Sequence, residues 1–323
     1  MKGFGGIDTT QRATPWDKWG QHVAIAAAYA GCYELAHYLS FPQWALTAGL
    51  RLSCLLLLPI RYWPALALGE FVPLAEVALL SVDKFGIYWS IAEAVPMVVL
   101  WMIVMKPLRQ HWSVLDSEGR IRMPLIFLAA LGTAIITAIA SVLSIIPAIL
   151  HSSTGTWPDP NTGWPGYLLA HTLGSYLGSL TLAPAILALR ERFLRIEDET
   201  LRFSHVWHSL LLRDVLWWML PSLAAITAMA AMSNDDLMRQ VARLALIGPV
   251  LTMTWRHGWH GTAIGGMAAS VALAISAAIA NPSLRADPAT IQIEAILALM
   301  LTGALLVGAR APLKHPFVHR QSS

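Results

Sequence analysis

The sequence predicts an all-α, polytopic bundle of transmembrane helices, and three observations predict it. Hydrophobic residues make up 56% of the 323-residue chain and charged residues only 13%, against about 45–50% and about 25% in soluble domains. Mean hydropathy is +0.56. The apolar residues also fall in runs of about twenty, the length of helix that crosses a bilayer. Together these exclude a water-soluble domain, a disordered chain and a fibrous one. They leave a single membrane domain.

Residues 1–21 are polar, with no compact apolar stretch ahead of a small-residue cleavage site. They read as a cytoplasmic N-terminal segment, and the first span serves as its own insertion signal. About ten spans follow, at 22–40, 44–60, 61–80, 87–105, 123–150, 164–189, 212–232, 239–255, 261–280 and 289–309, so that residues 22–310 form the membrane domain. Residues 311–323 are a cytoplasmic tail. The second and third spans are joined only by Pro59-Ile60-Arg61-Tyr62-Trp63-Pro64, and the eighth and ninth by Arg256-His257-Gly258-Trp259-His260-Gly261. Turns this tight make antiparallel neighbours of the helices they join. Loop 151–163 is rich in turn formers and reads as a solvated outer loop. Loop 190–213 mixes five basic with four acidic residues and reads as a helical cytoplasmic link. No polar stretch is long enough for a catalytic output domain.

The positive-inside rule orients the bundle. With both termini in the cytoplasm, 17 of the 22 Lys and Arg residues lie on that side, three lie outside (Lys84, Arg239, Arg285) and two lie within spans (Arg51, Arg243). The net charge of +3 therefore reflects topology rather than an affinity for nucleic acid. Tryptophans at span ends, such as Trp44, Trp63, Trp112, Trp164 and Trp255, read as interfacial anchors. Cys32 and Cys54 lie in apolar runs without metal-ligand spacing and read as buried thiols.

Chemistry has few places to reside. There is no Walker loop, no GxGxxG after a strand, no HExxH and no GxSxG. His257 and His260 have no third ligand nearby and suit an interfacial role better than a metal. The pairs Gly174/Gly178 and Gly261/Gly265 allow helices to approach closely. The informative residues are the ionisable ones inside spans, since each is costly to hold in lipid. They are Glu34, Arg51, Glu70, Glu76, Glu93, His171, Arg243 and Glu294. Ser175, one helical turn from His171, completes a candidate ligand-binding or coupling set. Counted along their helices at 1.5 Å per residue, they lie in the outer half of the membrane, within about 15 Å of its surface. This depth suggests one outward-facing cavity, with Arg51 paired to Glu34 or Glu93. The alternative is a set of ion pairs that only holds the bundle together. Five Glu against two Arg implies either protonated carboxyls or a bound cation.

Several stretches resemble the membrane-associated sensor domain of bacterial membranes called MASE, type one. They are WPGYLLAHTLGSYLGSLTLAPAIL at 164–187, TAGLRLSCLLLLPIRYWPALALGEF at 47–71, the helix of Glu93 ending at Lys106-Pro107-Leu108-Arg109, WRHGWHGTAIGG, and IQIEAILALMLTGALLVGA. The resemblance covers roughly residues 20–310. It departs from the family at Gly174-Ser175, where Gly-Asp is usual, and in a span count of ten rather than eight. It implies a sensory or signal-coupling role in a bacterial inner membrane. The expected partners are membrane lipids and a kinase, cyclase, phosphodiesterase or transporter acting in trans. The reading is then a non-catalytic sensor with no cofactor, metal or nucleic acid, which detects a small ligand or ion in the outer cavity. The alternative is a proton- or cation-coupled transporter of small solutes, which also needs intramembrane carboxylates and broken helices. An intramembrane enzyme lacks a nucleophile–base set beyond His171 and Ser175.

Overall fold

The computed structural model describes residues 15–40, 44–113, 121–151, 163–196, 209–280 and 288–310, and among them it is helical throughout, with no β-strand. Helix α1 spans Pro15–Leu39 and α2 Leu46–Leu57. One 3₁₀ turn, Ile60–Tyr62, leads into α3 at Trp63–Leu80. The short α4 (Val82–Phe85) ends at Gly86, and α5 runs Ile87–Glu93. Pro96 then breaks the chain before α6 at Met97–His111, because proline lacks an N–H and its ring crowds the preceding turn. Helices α7 (Met123–His151) and α8 (Gly163–Ile196) are long and continuous. Helix α9 (Leu210–Asp214) passes through a π turn, Val215–Met219, into α10 (Leu220–Met232). The amphipathic α11 (Asp236–Ala245), the kinked α12 (Ile247–Ala280) and α13 (Pro288–Arg310) complete the chain.

All ten expected spans are helical, but they are not equal. Seven helical stretches are long and apolar enough to cross a membrane. One of them, Asp236–Ala277, folds back on itself at Gly258, whose φ of 61° and ψ of −147° suit only a residue without a Cβ. The Thr262 hydroxyl donates to Thr254 Oγ1 at 2.9 Å across this hairpin, and Gly261 packs on Met253. The tight turn expected at 256–261 is therefore present. Counting both arms, eight of the ten expected spans are long and apolar enough for a membrane pass among the described residues. Helix α1 drops out because His22, Glu34, His37 and three tyrosines dilute its apolar face. Helix α2 drops out because its 12 residues rise only about 18 Å. The Arg109 guanidinium closes the far end of α2, donating to Leu55 O at 2.7 Å and Leu58 O at 2.6 Å. It thereby satisfies carbonyls that a helix end leaves open.

Helix α8 is the common wall. Its apolar window is 67% buried, against 17% for Ile87–His111, and it packs against α2, α7, α12 and α13. Helix α2 reaches it closely because Gly49 faces Gly178 and Gly178 faces the Ala45 carbonyl, so a methyl at either position would collide with backbone. One core lies on the side of α1–α7, around Leu52, Leu66, Trp101 and Met105. A second lies on the side of α9–α13, around Met219, Met253, Leu273 and Leu297. Segments expected on the same membrane side meet in space: Gly86 with His151, Asp214 with His257, and Gly258 with Gly308. The outer loop 152–162, much of the 190–213 link, and both terminal segments (1–14 and 311–323) lie outside the described residues.

Candidate functional site

Each core encloses its own polar centre. In the first, Arg51 of α2 is buried against Glu70 of α3, with Nε to Oε1 at 3.0 Å. The same Oε1 accepts the backbone N–H of Met97 at 2.9 Å. Because Pro96 interrupts the helix, that amide belongs to the open N-terminal turn of α6, and Glu70 caps it from a neighbouring helix. Glu70 Oε2 accepts the Tyr29 hydroxyl at 3.1 Å, and Arg51 Nη2 donates to the Tyr33 hydroxyl at 3.2 Å. The guanidinium also lies 5.4 Å from the Tyr33 ring centre and 5.7 Å from that of Trp101. Both carboxylate oxygens and the guanidinium thus have partners. A buried pair so surrounded ties α1, α2, α3 and α6 together.

The second centre is different. Glu294 of α13 is 1% exposed, and neither carboxylate oxygen has a hydrogen-bond partner. Ser270 of α12, also 1% exposed, leaves its hydroxyl unpartnered as well. The two line one small space with Trp44, Leu177, Leu273 and Ala274. Its volume of about 10 Å³ is near the room that one water needs. Trp44 Nε1 is committed elsewhere, to Thr181 Oγ1 at 2.9 Å, so it offers the pocket only its ring. Buried Arg243 of α11 donates to Ser276 O at 3.4 Å, and its charge acts on Glu294.

A third polar group lies at the opposite end of the bundle, beside Gly258. Asp214 Oδ2 receives His257 Nε2 at 2.9 Å and Arg256 Nη1 at 3.0 Å. His260 Nε2 lies 3.5 Å from Glu191 Oε2, with its ring 3.9 Å from that of Trp259. The ends of α8, α9 and α13 and the turn within α12 meet here. No group of three metal-ligating side chains occurs among the described residues.

The single outer cavity expected from the sequence is therefore divided. Of its nine residues, Arg51 and Glu70 form one centre, and Arg243 and Glu294 belong to the other. Glu34 and Glu76 are exposed on α1 and α3 and line neither. Arg51 pairs with Glu70, not with Glu34 or Glu93. Distance from a span end fixes depth, but it does not fix which way a side chain points around its helix. Glu93 is half-buried at the end of α5, within electrostatic reach of Arg51 and His37. His171 is half-buried with its ring 4.2 Å from that of Tyr167, and Ser175 is buried on the same helix. Cys32 is exposed, contrary to its reading as a buried thiol, and Cys54 is half-buried. Sequence reasoning missed Tyr29, Tyr33, Trp44, Ser270, Glu191 and Asp214 as members of polar clusters. The i, i+4 pair Tyr29/Tyr33 carried a signal, since with Ala26 and Ala36 it marks the inward face of α1.

The family model for MASE1 matches residues 22–311, nearly the whole chain. The chain belongs to the MASE1 family. MASE1 domains are membrane sensors, so this chain is a multi-pass membrane protein with a sensory role. No curated protein and no solved structure matches the chain. For this MASE1 domain the geometry supplies two interiors, one with its hydrogen bonds complete and one with a carboxyl group that lacks partners.

Proposed function

We propose that the chain is a non-catalytic sensory unit whose receiver is the Glu294 pocket, and that it acts through a signalling protein in the same membrane. The supporting observation is the carboxyl group of Glu294, which is buried with neither oxygen hydrogen-bonded. An ionised carboxylate only accepts hydrogen bonds, and a buried charge without donors is costly. The pocket is completed by a species that brings donors and is no larger than water, such as a proton or an ammonium ion. Arg51 and Glu70, by contrast, have no vacancy to fill and hold the framework.

Helix α13 connects this receiver to the other end of the bundle. It carries Glu294 near its start and Gly308 against the Gly258 turn near its end. A shift of α13 on loading the pocket reaches the Asp214–His257–Arg256 cluster, where α8 and α9 also end. From there it passes to the partner.

The test is thermal unfolding of the full chain in nanodiscs, titrated with ammonium and with protons, and with sodium as a cation that brings no hydrogen-bond donor, for wild type and Glu294→Gln. At about 100 times its dissociation constant a ligand stabilises by about 2.7 kcal/mol. At least one of the small donors is expected to shift wild type, and none to shift Glu294→Gln, whose amide brings its own N–H groups. Equal shifts in both proteins, or none in wild type, would refute the receiver. Solute-coupled flux in liposomes would replace the sensor with a transporter.

A further inference from the structure

A groove at the helix ends, remote from Glu294, has the chemistry of a lipid site. It opens between the end of α6, the start of α7 and the last turns of α13, and its volume is about 600 Å³. Arg122 and Arg310 stand at its rim with Trp112, all three exposed. Leu125, Leu128 and Leu306 line it further along the helices. Leu128 follows Arg122 by six residues, about 9 Å along the axis of α7. The groove is therefore cationic at the helix ends and apolar toward the middle of the bundle, with an aromatic residue at the boundary.

We propose that this groove binds one anionic glycerophospholipid of the leaflet facing these helix ends. Its phosphate lies between Arg122 and Arg310, and the upper part of an acyl chain lies along Leu128 and Leu306. The charge complementarity is direct, since guanidinium groups bind phosphate oxygens with two parallel hydrogen bonds. The N-terminal end of the α7 dipole adds to the same positive field. A soluble anion would use the two arginines but leave the leucine wall uncovered, whereas a phospholipid uses both. Basic pockets between helices at the cytoplasmic surface are where anionic headgroups bind. The two helices flanking the groove, α7 and α13, touch each other only lightly, so a seated lipid supplies much of the packing between them.

The experiment uses the full chain, purified from membranes of phosphatidylcholine with a minor share of phosphatidylglycerol. Lipid retention is read by native mass spectrometry, and contact by photo-crosslinking with a phosphatidylglycerol analogue. Wild type is expected to retain phosphatidylglycerol over phosphatidylcholine and to crosslink within residues 121–128 or 306–310. Each of Arg122→Gln and Arg310→Gln should lower that preference about fivefold, and the double variant should approach parity. Arg122→Lys and Arg310→Lys, which keep the charge but lose the planar fork, should fall between. Arg190→Gln, at an exposed site on α8, should leave the preference unchanged. Equal retention of both lipids by wild type would overturn the proposal, as would a double glutamine variant with full preference or crosslinks that map elsewhere. Competition by glycerol phosphate as strong as by the lipid would reassign the groove to a soluble anion.

Discussion

At the residue scale, Glu70 accepts from three groups on three elements: Arg51 Nε on α2, the Tyr29 hydroxyl on α1 and the Met97 amide that opens α6. Removing Arg51 leaves a buried carboxylate without its counter-charge, which costs about 3–5 kcal/mol in comparable sites. Arg51→Leu should therefore lower stability by that order in thermal unfolding. Glu70→Gln in the same chain should recover part of the loss, while Glu34→Gln should add independently. A Glu34 rescue, or strict additivity with Glu70, would show that the pair is not the centre. The need of Arg51 for a buried carboxylate was legible in the sequence, because lipid tolerates neither charge alone. The identity of the partner was not. Glu34 follows Tyr33 by one residue and so points about 100° away from it around α1, out of the core.

At the element scale, two interruptions position the polar centres, and they differ in how they announce themselves. The Gly258 turn was legible because basic, aromatic and glycine residues cluster between two apolar runs. The shortness of α2 was not. The run from Trp44 to Ile60 is apolar apart from Thr47, Arg51 and Ser53, and hydropathy alone does not say that the helix ends at Leu57 with Arg109 over its carbonyls. Gly258→Ala tests the turn. A Cβ at that φ and ψ costs about 1–3 kcal/mol, and it would also press toward the Gly308 carbonyl. The melting temperature should fall accordingly. Gly265→Ala makes the contrast on the same hairpin: its Cβ would meet only ordinary contacts from 3.6 Å outward. In a helix interior that change is neutral or stabilising by up to about 1 kcal/mol. Equal destabilisation by both would mean that the hairpin does not depend on the backbone at Gly258.

At the scale of the whole molecule, the alternation of helices follows from the contacts, and their sidedness follows from charge. Segments assigned to one side by counting spans meet in space, as Asp214 meets His257 and Gly86 meets His151. By the excess of Lys and Arg, the cytoplasmic side is expected to be that of Arg61, Arg213, Arg256 and Arg310. In a background lacking Cys32 and Cys54, Lys84→Cys and Asn234→Cys should react with an impermeant maleimide added outside cells. Arg61→Cys and Arg213→Cys should react only after permeabilisation. The reverse pattern would invert the bundle and place the Glu294 pocket at the inner face. The division into two cores on either side of α8 left no trace in the sequence, since both halves are equally apolar and only packing separates them.

Helix α13 has one further consequence. Its only proline is at its first residue, Pro288, and its course to Arg310 has no break. By contrast, α3, α7 and α8 each carry an interior proline. The sixteen residues from Glu294 to Arg310 make a strut of about 24 Å without a joint at which motion could be absorbed. If both proposed sites are filled, a proton or small cation at one end and a lipid headgroup at the other act on the same rigid body, and thermodynamics makes their influence mutual. If the lipid changes affinity at Glu294 by some factor, filling the pocket changes affinity for the lipid by the same factor. A sensor built on such a strut reports two variables as one, the ionic state of one membrane face and the anionic lipid content of the other.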